Sequence, residues 1–291
     1  MSAAGKLDPR VNPYRDDLAA LSLKGKVVSR AFVEGRPTRV RIPFAALMTK
    51  PDRSALQGSE LLQGEAFTVY EEKSGWAWGQ CGADGYVGYV AAKALSGDAV
   101  EPTHWVTTAR SLVFPDPKGE YPPARGFSTL ALVAVADETG DYARLADGGW
   151  IFGKHLSRIG ERRPDFLATA MQFLGTPYMW GGRGGLGIDC SGLIQIAMAA
   201  AGMPCPRDSD QQREALGGDL GVPKDLAAMQ RGDVVFFPGH VGFYLGQGQF
   251  LHASSFDMTV AVHPFADVLK RVNARHGKDI IRVRRIEGAG R

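Results

Sequence analysis

Residues 176–201 read Thr-Pro-Tyr-Met-Trp-Gly-Gly-Arg-Gly-Gly-Leu-Gly-Ile-Asp-Cys-Ser-Gly-Leu-Ile-Gln-Ile-Ala-Met-Ala-Ala-Ala, and they constrain the chain more than any other stretch. Glycine is dense up to Gly187 and then thins out, which suits tight turns and close backbone approach to a ligand. Asp189 stands where a helix N-cap belongs, and Cys190 becomes the first helical residue. From Ser191 to Ala201 the segment is apolar nearly all round, the pattern of a buried helix. Gly202 ends it and Pro204 prevents its resumption. The expectation is a thiol at the start of a central helix, opening onto a glycine-lined surface. There the positive end of the helix dipole favours the thiolate, the nucleophilic form.

Such a thiol needs a base. The run from Pro238, Pro-Gly-His-Val-Gly-Phe-Tyr-Leu-Gly-Gln-Gly-Gln-Phe-Leu-His-Ala, reads as two strands joined by a turn at Gly246–Gly248. With a three-residue turn, Gly242 faces His252, and His240 lies diagonally from His252 on the same face. Gly242 then leaves room for the imidazole; a two-residue turn would put the rings on opposite faces. Cys190 is the candidate nucleophile, His240 the candidate base and His252 its orienter. The oxyanion donors would be the Cys190 backbone N–H and one further group, with Tyr178 a candidate. Zinc is the competing reading, since His240, His252, Cys190, His263 and His276 are all possible ligands. No C-x-x-C or H-E-x-x-H spacing supports it, so neither metal nor cofactor is expected.

The rest of the chain divides by pattern. Residues 1–37 read as an arm, with one short helical candidate at 16–23, packed on a later domain. Residues 38–98 carry strand candidates at 39–42, 66–71, 76–80 and 85–90, suggesting a small β-barrel. Residues 101–158 repeat the plan more faintly at 105–108, 128–135, 141–145 and 148–152. The stretches 115–118 and 217–218 read as loops. A helix is expected over 164–174, and a turn followed by a buried strand at Arg231-Gly-Asp-Val-Val-Phe-Phe. The fold class is therefore α+β: two small barrels ahead of a catalytic domain over 162–288.

A net charge of +3 without a concentrated basic run argues against nucleic acid. No apolar run approaches the ~18 residues of a membrane span, and the first residues lack a signal-peptide core, so a cytoplasmic protein is expected. Three cysteines (Cys81, Cys190, Cys205) form no disulfide framework; the odd count fits a reducing compartment. Cys205, between two prolines, reads as structural.

Taken together, Phe173-Leu-Gly-Thr-Pro-Tyr-Met-Trp-Gly-Gly, Asp189-Cys-Ser-Gly-Leu, Arg207-Asp-Ser-Asp-Gln-Gln, Arg231-Gly-Asp-Val-Val-Phe-Phe, His240-Val-Gly-Phe-Tyr-Leu-Gly and Leu251-His-Ala resemble the NlpC/P60 family of papain-like cell-wall peptidases. Gly75-Trp-Ala-Trp and Gly85-Tyr-Val-Gly-Tyr-Val resemble a bacterial SH3-like domain, with Gly79 where a valine often stands. With two such domains ahead, the chain resembles the γ-D-glutamyl-L-diamino-acid endopeptidases. The resemblance implies Cys190, His240 and His252 as triad and a murein-derived peptide with a free N-terminal L-Ala as substrate; a monomer is expected. It implies substrate contacts from Tyr178, Ser191 and Asp208, and from Tyr86 and Glu60 of the first barrel, with Glu65 competing with Glu60. Arg183 departs from the small residue often found there; it either meets a substrate carboxylate or faces solvent. The alternatives are an amidase or acyltransferase on another bond, and a wall-binding protein whose last domain is inert.

Overall fold

A computed structural model of the chain describes residues 7–223 and 225–287. The last domain is built on a six-stranded antiparallel sheet. Its order is Gly218–Gly221, Arg282–Arg285, Val234–Phe237, His240–Gly246, Gln249–Ser254 and Thr259–Pro264. Gly218 thus opens an edge strand instead of lying in a loop. Val234–Phe237 is buried at every position because both faces of the sheet are covered. One face carries α1 (Phe166–Met171) and α2 (Cys190–Ala200), which pack Leu193, Ile194 and Ala197 against Val234, Phe243 and Leu251. The other carries α4 (Phe265–His276), which follows the short α3 (Ser209–Ala215) in the chain and packs Phe265 and Val268 against Val235, Phe237 and Phe250. The helix expected over 164–174 is shorter, capped by the Asp165 carboxylate on the Ala168 N–H at 2.8 Å.

The first barrel is a seven-stranded antiparallel sheet closed around Val40, Leu47, Leu61, Phe67 and Val90. Besides the expected strands it contains Phe44–Met48 and Gln57–Leu62, whose Ala, Gly and Glu content hides them from strand propensity. Residues 104–158 form a second small barrel of three- and five-stranded sheets around Val106, Phe127 and Ile151. The single strand expected at 128–135 is broken: Leu130 takes φ 69°, the Ala131 N–H donates to the Ser128 carbonyl, and pairing resumes at Leu132–Val133.

The helix expected at 16–23 does not form. Leu18–Ala20 pairs in parallel with Ala31–Val33, and only Leu21–Leu23 turns helically. Eight residues cannot nucleate a helix unaided, and strand pairing buries Ala19 and Ala20 completely or nearly so. The arm lies on the first barrel: the Arg10 carbonyl accepts the Val87 N–H at 2.7 Å, and Arg15 sits over the Trp78 ring at 4.3 Å. No helix among the described residues is long and apolar enough to cross a membrane.

Candidate active site

Cys190 opens α2 as the sequence leads one to expect. Asp189 is extended, and its carboxylate accepts the Gly192 N–H at 2.7 Å. That carboxylate is itself held in place. Arg207, 1 % exposed, reaches it through Nη2–Oδ2 at 2.6 Å and Nη1–Oδ1 at 3.0 Å, and the Gly181 N–H adds a third contact at 2.8 Å. The glycine tract does not line an open surface. Gly181, at φ +75°, would drive a Cβ to 2.7 Å from the Gln57 carbonyl of the first barrel, and a Cβ on Gly185 would meet the Ala109 carbonyl of the second. The glycines let both barrels dock beside Cys190.

The sulfur is less acidic than its helix position suggests. Burial, then the Asp189 charge, pushes the thiol up to about 12, against the pull of the Val241 backbone N–H and Arg207. The carboxylate that caps the helix offsets the dipole it caps. Burial pushes His240 down to about 4. Both shifts favour the neutral thiol and the neutral imidazole, and among the described residues no hydrogen bond joins Cys190 to His240. Cys190 keeps 8 % of its surface open.

The hairpin closes on a two-residue turn, with Gly246 paired to Gln249, and a bulge at Leu245 restores the pairing expected of a three-residue one. Phe243 pairs with Leu251 and Tyr244 with Phe250, which carries Gly242 opposite His252. The space beside Gly242 is filled by the Phe250 ring, not by the imidazole: a Cβ there would meet Phe250 Cζ at 2.5 Å. His240 Nε2 lies 2.7 Å from His252 Nδ1. The row continues, with His252 Nε2 3.0 Å from His263 Nδ1 and His263 Nε2 3.5 Å from Asp257 Oδ2. Imidazoles joined nitrogen to nitrogen carry their protons in one direction. With a carboxylate facing the far end, the favoured direction has each ring donating from Nε2, which leaves His240 with a bare Nδ1 as its basic atom. Burial and the flanking rings hold His252 down at about 2, so it stays neutral. The sequence names His263 only as a possible zinc ligand. Extending the register to the third strand, where Phe250 pairs with His263, would have placed it diagonally from His252.

On the other flank the first barrel supplies charge. Arg183 neither faces solvent nor stands free for a substrate: it is 2 % exposed, and both its terminal nitrogens bond Glu65 at 3.1 Å. Glu65 is thereby occupied. Among the described residues, Glu60, 5 % exposed, accepts only the Arg183 backbone N–H at 3.2 Å through its carboxylate, and burial pushes it up to about 7. Asp208 accepts from the Tyr86 hydroxyl at 3.0 Å and from Arg10 Nη1 of the arm at 2.8 Å. The Ser191 hydroxyl is turned inward, donating to Asp189 at 3.1 Å and accepting from Arg207 at 2.8 Å. Burial raises the Tyr178 phenol, and Cys190 is close enough that its charge, once ionised, would raise it further. Arg207 is the missed residue here; its charge beside Asp189 becomes visible only in the fold.

A thiol at the head of a buried helix, facing a histidine row on an antiparallel sheet, defines a papain-like cysteine peptidase. The NlpC/P60 family model matches residues 175–272, and the bacterial dipeptidyl-peptidase SH3 domain model matches residues 47–95. The chain is 31 % identical to dipeptidyl-peptidase 6 of Lysinibacillus sphaericus over 238 residues, covering 72 % of this chain and 85 % of that protein. It is 27 % identical to a γ-D-glutamyl-L-lysine dipeptidyl-peptidase of Bacillus cereus, covering 71 % of this chain and 70 % of that one. An NlpC/P60 family protein of known structure from Bacillus cereus has the same fold, with a TM-score of 0.68 at 21 % identity over 86 % of this chain and 99 % of its own. The chain belongs to the NlpC/P60 family of cysteine peptidases.

Proposed function

We propose that this peptidase hydrolyses the bond between γ-D-Glu and a diamino acid in murein-derived peptides whose N-terminal L-Ala is free. The observation that carries this reading is Glu60, a buried carboxylate with unfilled acceptor positions between barrel and catalytic domain. A peptide ammonium is the partner such a carboxylate lacks. Asp208 and Tyr86 bond each other across the same two domains, and a relative is named for the γ-D-glutamyl-L-lysine bond.

The chemistry follows from the row of rings. His240 Nδ1 takes the Cys190 proton as the sulfur attacks the γ-carbonyl carbon. The Cys190 backbone N–H and the Tyr178 hydroxyl receive the oxyanion. Collapse breaks the C–N bond, and His240 hands its proton to the departing amine. Water, deprotonated by His240, then opens the thioester and releases L-Ala-D-Glu. His252, held by His263, keeps His240 Nε2 protonated throughout.

An ammonium site also sets when the enzyme acts. In intact murein the L-Ala nitrogen is acylated and uncharged, so the peptide must first be cut from the glycan. This supports a role in recycling, and the cytoplasm is the compartment we propose for it. A mass-spectrometric digest of L-Ala-γ-D-Glu-meso-diaminopimelate beside its N-acetylated form tests the reading. Cleavage of the free peptide only, abolished in Cys190→Ala, is expected; equal cleavage of both forms would defeat it.

A further inference from the structure

The proton that His240 returns must reach the leaving amine, so the leaving group lies on the histidine side of Cys190. A cavity of about 480 Å³ opens there against His240 and His252. Tyr178, Trp180 and Phe256 form its aromatic wall, and Trp180 and Phe256 are 65 % and 73 % exposed. Its other wall is α4, which presents Arg271 and Arg275, one turn apart on a single helix face. Among the described residues, no acidic side chain lines it.

The two guanidiniums are incompletely used. Arg271 stacks on Phe256 with Cζ 4.5 Å from the ring centroid, and its Nη1 lies 3.3 Å from Asp257 Oδ2. That oxygen also accepts from Ser254 Oγ at 2.7 Å and faces His263, so Arg271 retains free donors. Arg275 has no ion-pair partner among the described residues. A basic residue in the last turn complements the helix dipole, which accounts for Arg275 but not for Arg271 in the helix interior.

We propose that this cavity receives the departing amino acid and that Arg271 and Arg275 bind its carboxylates. The inference rests on the γ-glutamyl reading above and adds the identity of the diamino acid. Two cations favour a leaving group with two carboxylates, such as diaminopimelate. They disfavour one with a single carboxylate and a side-chain ammonium, such as lysine.

The test uses the full chain and three substrates: L-Ala-γ-D-Glu joined to meso-diaminopimelate, to L-lysine, and to aminomethylcoumarin, whose amine carries no carboxylate. The wild-type kcat/KM ratio of diaminopimelate to lysine substrate is expected to be about tenfold or more. In Arg271→Gln with Arg275→Gln the ratio should collapse towards one, through KM, and Arg275→Glu should tilt it towards lysine. Both rates are read on one preparation, so the ratio is independent of the fraction folded. A wild-type ratio near one, or a ratio the variants leave unchanged, overturns the inference while cleavage of all three substrates keeps the γ-glutamyl reading. If the wild type cleaves none of the three, that reading has failed and this one falls with it.

Discussion

The two flanks of Cys190 handle different currencies of charge. Towards the first barrel, ionised groups are buried in pairs at a domain boundary: Arg183 with Glu65 across it, and Arg207 with Asp189 beside it, Arg207 also bonding Ser59 of the barrel. Towards the sheet stand three imidazoles in hydrogen-bonded series, two of them pushed down by burial. Binding a cation needs a carboxylate already stripped of water; passing a proton needs a base that stays neutral until substrate arrives. The first requirement is met where domains press together, the second within one sheet.

The largest effect expected on either flank is at Glu60. Glu60→Gln removes the candidate ammonium partner and should lower kcat/KM on free-amine peptides by about 10²–10³-fold. The wild-type profile should lose activity as pH falls through about 7, where the Glu60 carboxylate takes a proton, and the variant should lack that limb. Stability moves the other way. The folded value lies above the ordinary 4.5, so the fold prefers the neutral carboxyl. That preference is fully expressed below 4.5 and is lost as pH rises through about 7. At pH 8 the variant should therefore be more stable than wild type, by on the order of 3 kcal/mol. Loss of activity with loss of stability would mean that Glu60 serves the fold, and the contrast between flanks would fail.

Next comes the pair that holds Glu60's surroundings together. Arg183→Met strands Glu65 in a buried site and should cost about 3–5 kcal/mol in denaturant unfolding. Adding Glu65→Leu should recover most of it, because a matched apolar pair carries no unpaired charge. On the sheet flank, His263→Phe leaves the His252 Nε2 proton without an acceptor. It should lower kcat about tenfold with KM little changed. His263→Gln, whose amide oxygen can accept that proton, should restore most of kcat. Equal losses in both variants would reduce His263 to a packing residue.

The difference in legibility between the flanks has the same origin. Strand periodicity is local, so the face shared by His240 and His252 could be read from the hairpin, although a bulge at Leu245 and not a three-residue turn sets it, and Asp189 before an apolar run announced the helix start. The barrel flank depends on pairs more than a hundred residues apart, such as Arg183 with Glu65 and Arg207 with Ser59. No local pattern encodes which loop meets which barrel. The glycine tract was legible as conformational freedom, but its purpose, admitting two barrels, was not. The thiol's basicity was misjudged for the same reason: the dipole is a property of the helix, whereas desolvation is a property of everything packed on it.

The smallest effect should come from Arg10, and its sign discriminates most finely. Its guanidinium bonds Asp208 at 2.8 Å and Asp210 at 2.8 Å, and it is held from behind by Asp8 at 2.8 Å. Partly exposed pairs of this kind contribute little to stability, so Arg10→Ala should shift unfolding by less than about 1 kcal/mol. Its influence on substrate is another matter. If Asp208 shares the incoming ammonium with Glu60, Arg10 is a cation already seated on half of that site. Removing it frees an Asp208 oxygen and removes like-charge repulsion, so KM should fall by about two- to fivefold, more at low salt than at high. A rise in KM would show instead that Arg10 orients Asp208 for the substrate, making the arm a working part of the barrel flank. An unchanged KM would take Asp208 out of the ammonium site and leave Glu60 to bind it alone.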